Sequence, residues 1–339
     1  MNTGRKISRR DFVKLCGALS LAVSAPVSLV PLAEAQARSD RFEQTRLKMG
    51  TLVTITVTAD SSDQALAACE TAWAEMDRLI AVFDRHRQGT AVSELNNAGR
   101  LSDPGPELLD VLALAARTHQ VSRGAFDPTV LPLLTLIQES FHKTNRPPDQ
   151  AELAEAFKMV DFGRVRFGPS GAAMGLAGQK LSLDGIAKGY IVDRAALALR
   201  KAGIKSALIN AGGDILALGG KDDRRPWRIA VQDPFQPNKH LRIIALADQA
   251  VATSGSYEIF FDKEHKFHHL LNPADGRPAT RLVAATTTAP TAAQADAAST
   301  AAFIAPETLK SLPAVEGLIV ARNGGQALTS GFKSLLVRS

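Results

Sequence analysis

Apolar and polar positions alternate along residues 51–58 (TLVTITVT), the two-residue period of a strand buried on one face. The period then lengthens. Ala65, Ala68, Cys69, Ala72, Met76, Leu79 and Ile80 recur at helical spacing, which predicts a helix over 62–83 with Ser62 as its N-cap. Further helices are predicted over 106–120, ended by Gly124; over 150–157; over 189–202, closed by Gly203; and over 291–303. Short apolar pieces separated by Gly-rich turns suggest hairpins across 165–183. Strands are expected at 206–210, 215–218, 227–232, 241–246 and 250–253. A hairpin joins 318–321 to 327–329 around Asn323-Gly324-Gly325. Helices and strands mix without regular β-α-β alternation, so the expected class is α+β, with mixed, largely antiparallel sheets flanked by helices.

The pattern breaks at the N-terminus. Ser8-Arg9-Arg10-Asp11-Phe12 places paired arginines before the apolar residues 15–32, and Ala33-Glu34-Ala35 forms a small-x-small site ahead of Gln36. That is the layout of a twin-arginine export signal over 1–35, with periplasmic delivery and a mature domain over 36–339, which two subdomains would also accommodate. Gly17, Pro26 and Pro31 make the stretch a poor spanning helix, so no membrane span is expected after cleavage. Removal of Cys16 with the signal leaves Cys69 as the only cysteine and rules out an internal disulfide.

The same segment carries much of the charge. The chain of 339 residues carries a formal +6, but residues 1–35 hold half of it. The remainder is too mild to argue for nucleic acid, and an aromatic content of 5% disfavours a base-stacking platform.

The common catalytic signatures are missing: no GxGxxG after a strand, no Walker A lysine, no HExxH, no CxxC. What remains is a set of dense clusters. Gly124-Ala125-Phe126-Asp127-Pro128-Thr129 is a turn with one carboxylate. Gly185-Ile186-Ala187-Lys188-Gly189-Tyr190 opens a helix with a lysine among glycines, which suits a phosphate. Asn210-Ala211-Gly212-Gly213-Asp214 is a tight turn, and His268-His269 leads into Asn272-Pro273. Asp296 and Thr300 stand four apart on a helix and project oxygens from one face, an all-oxygen pair that suits Mg2+ rather than zinc. Each cluster alone also reads as ordinary turn or surface chemistry. Phosphate, magnesium and a histidine base together describe phosphoryl or nucleotidyl transfer.

In this order the clusters resemble the ApbE family of FAD:protein FMN transferases. Met49-Gly50-Thr51, Phe83 through Ser93-Glu94-Leu95-Asn96, Asp193 and Thr253-Ser254-Gly255 also match, and the likeness spans about residues 45–335. The resemblance implies the family fold, FAD as substrate, Mg2+ as cofactor, and transfer of FMN to a Thr or Ser hydroxyl of a client protein with release of AMP. Carried over by position, Asp296, Thr300 and the Gly185 carbonyl would hold Mg2+, while Met49, Ala125, Phe126, Asp127, Lys188 and Leu270 would line FAD. His269 is the expected base, with Asp296 as the competing candidate. Three positions depart from the family's habit: Ser182 where Asp is frequent, Asp184 where a small residue is usual, and His86 where Tyr is common. They are expected to touch FAD, Asp184 by way of the ribose or the metal. A flavin-holding accessory protein and an FAD pyrophosphatase are the rival readings. The expected client is a flavin-accepting subunit of a membrane respiratory complex, that of nitrous oxide reduction among them.

Overall fold

The first described strand, β1 (Asp40–Lys48), alternates exposed and half-buried residues and pairs antiparallel with β2 (Thr51–Ala59). The computed structural model describes residues 40–221 and 225–337; the signal predicted at 1–35 lies outside them. In β2 the side chains of Val53, Ile55 and Val57 are fully buried on one face. They meet α1 (Ser62–Phe83), whose Ala65, Ala68, Ala72, Trp73, Met76 and Leu79 form its buried stripe. Each large side chain so buried contributes about 1.5–3 kcal/mol. The helix begins one residue earlier in its capping than expected: Ser61, not Ser62, accepts the Gln64 N–H at 3.2 Å.

The chain continues through α2 (Ala91–Ala98), β3 (Arg100–Leu101), α3 (Gly105–Val121), α4 (Leu131–Thr144) and α5 (Gln150–Phe157). Next come β4 (Arg166–Gly168), β5 (Gly171–Ala173), α6 (Ala187–Lys201), β6 (Ser206–Ala211) and β7 (Asp214–Leu218). Then follow β8 (Trp227–Gln232), β9 (His240–Leu246), β10 (Gln249–Gly255), β11 (Leu271–Asn272) and β12 (Arg277–Pro278). The last are β13 (Leu282–Ala289), α7 (Ala292–Ile304), β14 (Glu316–Ala321), β15 (Gln326–Leu328) and α8 (Ser330–Ser334). The fold is α+β, and every described strand pair is antiparallel.

The main sheet has the order β1-β2-β6-β7-β10-β13-β14-β15. One face carries α1, α6 and α7; the other carries the β8–β9 hairpin, whose Trp227, Ile229 and Val231 pack with Val251, Leu318 and Phe332. The small strands β3, β5 and β4 form a separate sheet, as the hairpins expected near 165–183 require; residues 174–183 hold no strand. Helix α7 (AAQADAASTAAFI) is buried almost all round, because alanine lets it lie close to both α6 and the sheet. No helix among the described residues is long and apolar enough to cross a membrane.

Candidate functional site

The N-terminus of α6 and the middle of α7 meet because glycine permits it. A Cβ at Gly189 would lie 2.3 Å from the Ala292 carbonyl oxygen, and one at Gly185 would lie 2.9 Å from Thr300 Oγ1. Asp193, one turn further along α6, accepts the Ala292 and Ala293 N–H groups at 2.6 and 2.9 Å and so caps α7. The Gly189 N–H donates to Asp296 Oδ2 at 3.2 Å. Ser254, at the end of β10, shares hydrogen bonds with Ser299 Oγ at 2.7 Å and Thr300 Oγ1 at 3.3 Å. On the other side Asn96 clamps the Leu181 backbone, donating to its carbonyl at 2.9 Å and accepting its N–H at 2.7 Å. That clamp sets the course of residues 182–185 past the helix ends.

These elements enclose a cavity of about 420 Å³, a size suited to a small organic ligand. Its polar wall is electrostatically unbalanced. Asp296, Asp214 and Glu258 converge on the single ammonium of Lys188, which hydrogen-bonds Asp214. Burial, then the charge of Asp214, pushes the Asp296 carboxyl well up; burial also raises Asp214 against the pull of Lys188. Glu258, partly open to solvent at the cavity wall, is pushed up to about 7 by desolvation. Burial would lower Lys188, but Asp214, Asp296 and Glu258 override it and hold the ammonium charged.

The two histidines differ. His268 is fully buried and structural: its Nε2 bonds the Ala279 carbonyl at 2.9 Å and its Nδ1 accepts the Leu270 N–H at 3.3 Å. Burial drives it down to about 4. His269 lines the cavity, is also pushed down by burial, and keeps a buried Nδ1 without a hydrogen-bond partner. A neutral imidazole at the cavity wall is of the type that takes a proton.

Of the residues expected at the site, His86, Ala125, Phe126, Asp127, Ser182, Asp184, Gly185, Lys188, His269, Leu270, Asp296 and Thr300 all line this one cavity. Met49 does not; it sits in the β1–β2 turn at φ 52° and packs against the core. Asp127 lines the wall with its carboxylate committed to the protein, accepting the Thr129 N–H at 2.7 Å and the Phe162 N–H at 3.1 Å. It therefore shapes the loop rather than offering a free charge. Asp184 stands at the rim, where its Oδ2 accepts two bonds from Arg85 at 3.0 and 3.1 Å. Arg85, Asp214 and Glu258 were not anticipated as site residues. Asp214 reads locally as a turn residue, and the Arg85–Asp184 pair joins residues 99 positions apart.

The donor set tests the metal. Among the described residues no three His, Cys, Asp or Glu side chains form a metal cage. One carboxylate, one hydroxyl and an adjacent glycine backbone, beside excess buried negative charge, match Mg2+, which keeps waters and shares its shell with substrate phosphates.

The antiparallel α+β scaffold thus brings Asp296, Thr300, Lys188 and His269 to one cavity where the start of α6 meets the middle of α7. Residues 49–317 match the ApbE family, and the chain belongs to that family. The FAD:protein FMN transferase of Treponema pallidum (strain Nichols) is 29% identical over 315 residues, covering 84% of this chain and 86% of that one. That of Haemophilus influenzae is 28% identical over 264 residues, covering 74% of each. Among solved structures, the ApbE protein of Thermotoga maritima superposes with a TM-score of 0.80 at 30% identity, over 88% of this chain and 100% of that one. The apo form of the Pseudomonas stutzeri flavinyl transferase ApbE, 24% identical, shares the fold with a TM-score of 0.76 over 88% and 98% of the two chains.

Proposed function

We propose that this chain is a Mg2+-dependent FAD:protein FMN transferase that modifies a Ser or Thr hydroxyl of a client protein and releases AMP. The observation that carries this reading is the convergence of Asp296, Thr300, Lys188 and His269 on one cavity, with more buried carboxylate than Lys188 alone can offset. Asp296, Thr300 and the Gly185 carbonyl would hold Mg2+, which when bound offsets pyrophosphate charge. Lys188 holds an ammonium beside the phosphates. Ala125, Phe126 and Leu270 supply apolar wall for the flavin, and His86 offers a ring to stack on it. The client hydroxyl oxygen forms a bond to the FMN-side phosphorus, and the bridging P–O bond breaks with its electron pair leaving on AMP. The hydroxyl proton passes to the neutral imidazole of His269.

Incubation with FAD, Mg2+ and a client protein tests the reading. A covalently fluorescent client together with AMP is expected. Free FMN plus AMP with an unlabelled client would make the chain a pyrophosphatase, and unchanged bound FAD would make it a carrier.

Export by the twin-arginine route to the periplasm, and a client within a membrane respiratory complex such as that of nitrous oxide reduction, belong to the same proposal. The support is Arg9-Arg10 followed by an apolar run and a small-residue cleavage site. Lysine at both arginine positions is expected to retain the precursor in the cytoplasm; undiminished periplasmic protein in cell fractions would refute that route.

A further inference from the structure

We infer that the client's acceptor segment docks as an extended strand along the open edge of β8 and enters the catalytic cavity past Glu258. This rests on the transferase reading above and adds to it the place and form of the protein substrate.

The Ala245 N–H donates to the Leu335 carbonyl at 2.9 Å, and the Val337 N–H donates to the Ile243 carbonyl at 2.9 Å. The backbones of Ile243 and Ala245 therefore face the C-terminal segment. Residues 242, 244 and 246 face β8 instead, where their register partners are Val231, Ile229 and Trp227. By alternation, Arg228 and Ala230 turn their N–H and C=O groups to the far side of β8. No strand pairs with that side among the described residues. Native proteins generally cover or blunt such an edge, since it is a template for another chain.

Beside this edge lies a second cavity of about 250 Å³, walled by Ala230, Asn210, Gly213, Thr253 and Glu258 among others. Thr253 and Glu258 also line the catalytic cavity, so the two spaces meet at those side chains. The approach is apolar where it is exposed. Leu47 and Leu52 are register partners in β1 and β2, and they are 71% and 63% exposed. They lie on the sheet face opposite Val53 and Ile55, the face that also carries the β8–β9 hairpin. Gly212 brings their turn to the second cavity: a Cβ there would lie 2.5 Å from Thr51 Oγ1.

An extended peptide satisfies these features together. It has backbone donors and acceptors at the two-residue spacing that Arg228 and Ala230 present, and side chains for the Leu47–Leu52 patch. It can also carry a Ser or Thr hydroxyl to the junction at Glu258, whereas a folded surface cannot enter so narrow a space.

The test uses a pool of peptides about twelve residues long, enough for a strand with flanks, each with one central threonine between randomised positions. They are offered to the full chain with FAD and Mg2+ and read by covalent flavin fluorescence. Ala230→Pro removes the outward N–H, a change that edge strands tolerate. It is expected to raise the acceptor KM about tenfold, with the Tm and the FAD dissociation constant as in the parent. Ala230→Val keeps the N–H and should restore labelling. Leu52→Asp should weaken labelling independently of the β8 backbone. Equal acceptor KM in Ala230→Pro and the parent overturns the docking site, and so does a dimer that only Ala230→Pro dissolves, which would assign the edge to a second copy. A parent that binds FAD but labels no peptide overturns recognition of a short extended segment. A parent that binds no FAD instead sinks the transferase reading itself.

Discussion

Asp296 is a carboxylate that the folded protein holds at a cost. It is 5% exposed, faces the charges of Asp214 and Glu258, and receives one backbone hydrogen bond from Gly189. Removing a buried charge with unfavourable neighbours relieves that cost, so Asp296→Asn should melt no lower than the parent in metal-free buffer. The same change should abolish the response to Mg2+. Saturating Mg2+ at about 100 times its dissociation constant stabilises a binding protein by about 2.7 kcal/mol, visible as a rise in Tm that the variant should lack. Transfer should fall by at least about a hundredfold, in keeping with loss of a charge-stabilising group. A variant with the parent's Mg2+-induced shift would remove Asp296 from the metal site. This residue was legible in the sequence, because Asp296 and Thr300 share a helix and their spacing alone puts them on one face. Glu258 and Arg85 were not, since each acquires its role from a neighbour far away along the chain: Lys188 for one, Asp184 for the other.

At the scale of elements, the site depends on how closely α6 and α7 approach. Intrinsic propensity says that Gly189→Ala in α6 should stabilise the helix by about 1 kcal/mol. Packing says the opposite, because the new Cβ would meet the backbone oxygen of Ala292 at 2.3 Å, and backbone cannot swing aside as a long side chain can. Overpacking of this kind costs about 1–3 kcal/mol, so the second effect wins and the variant should melt below the parent. It should also lose transfer activity, since the displaced helix carries Asp296 and Thr300 with it. A higher Tm would mean that the helices are not in contact there. Elements with long uninterrupted periodicity were legible: 62–83 matches α1 residue for residue, and 150–157 matches α5. Others were not anticipated, β13 in the middle of the main sheet among them, and three of these show why. β1 (DRFEQTRLK) is an edge strand whose alternation is charged rather than apolar. α2 is short and depends on the Thr90–Ser93 capping box. α4 follows Pro128 and holds Pro132 in its own first turn, and much of its apolar face meets α5 and the 261–271 segment away from the main core.

For the whole molecule, these groups impose opposing pH dependences on stability. His268 is pushed from 6.5 to about 4 by burial, so the unfolded chain binds more protons in that interval. Its contribution is complete above pH 6.5 and is lost as pH falls through 4, up to about 3 kcal/mol. The acids with raised values act at the other end. Glu258 is raised to about 7 and Asp193 to about 6, and Asp214 and Asp296 are raised as well, all chiefly by burial. A carboxyl with a raised folded pKa contributes fully below its unfolded value and loses that contribution as pH climbs through the folded one. The metal-free protein should therefore melt lower at pH 8 than at pH 6. Mg2+ should compensate where the loss is greatest, since its ligands must be deprotonated and its charge offsets theirs. The expected outcome is a Mg2+-induced rise in Tm that is larger at pH 8 than at pH 6, measured by calorimetry on the same preparation. Equal shifts at the two pH values would mean that the cation binds away from these carboxylates, and the excess of acid around Lys188 would then need a different counter-charge from the substrate side.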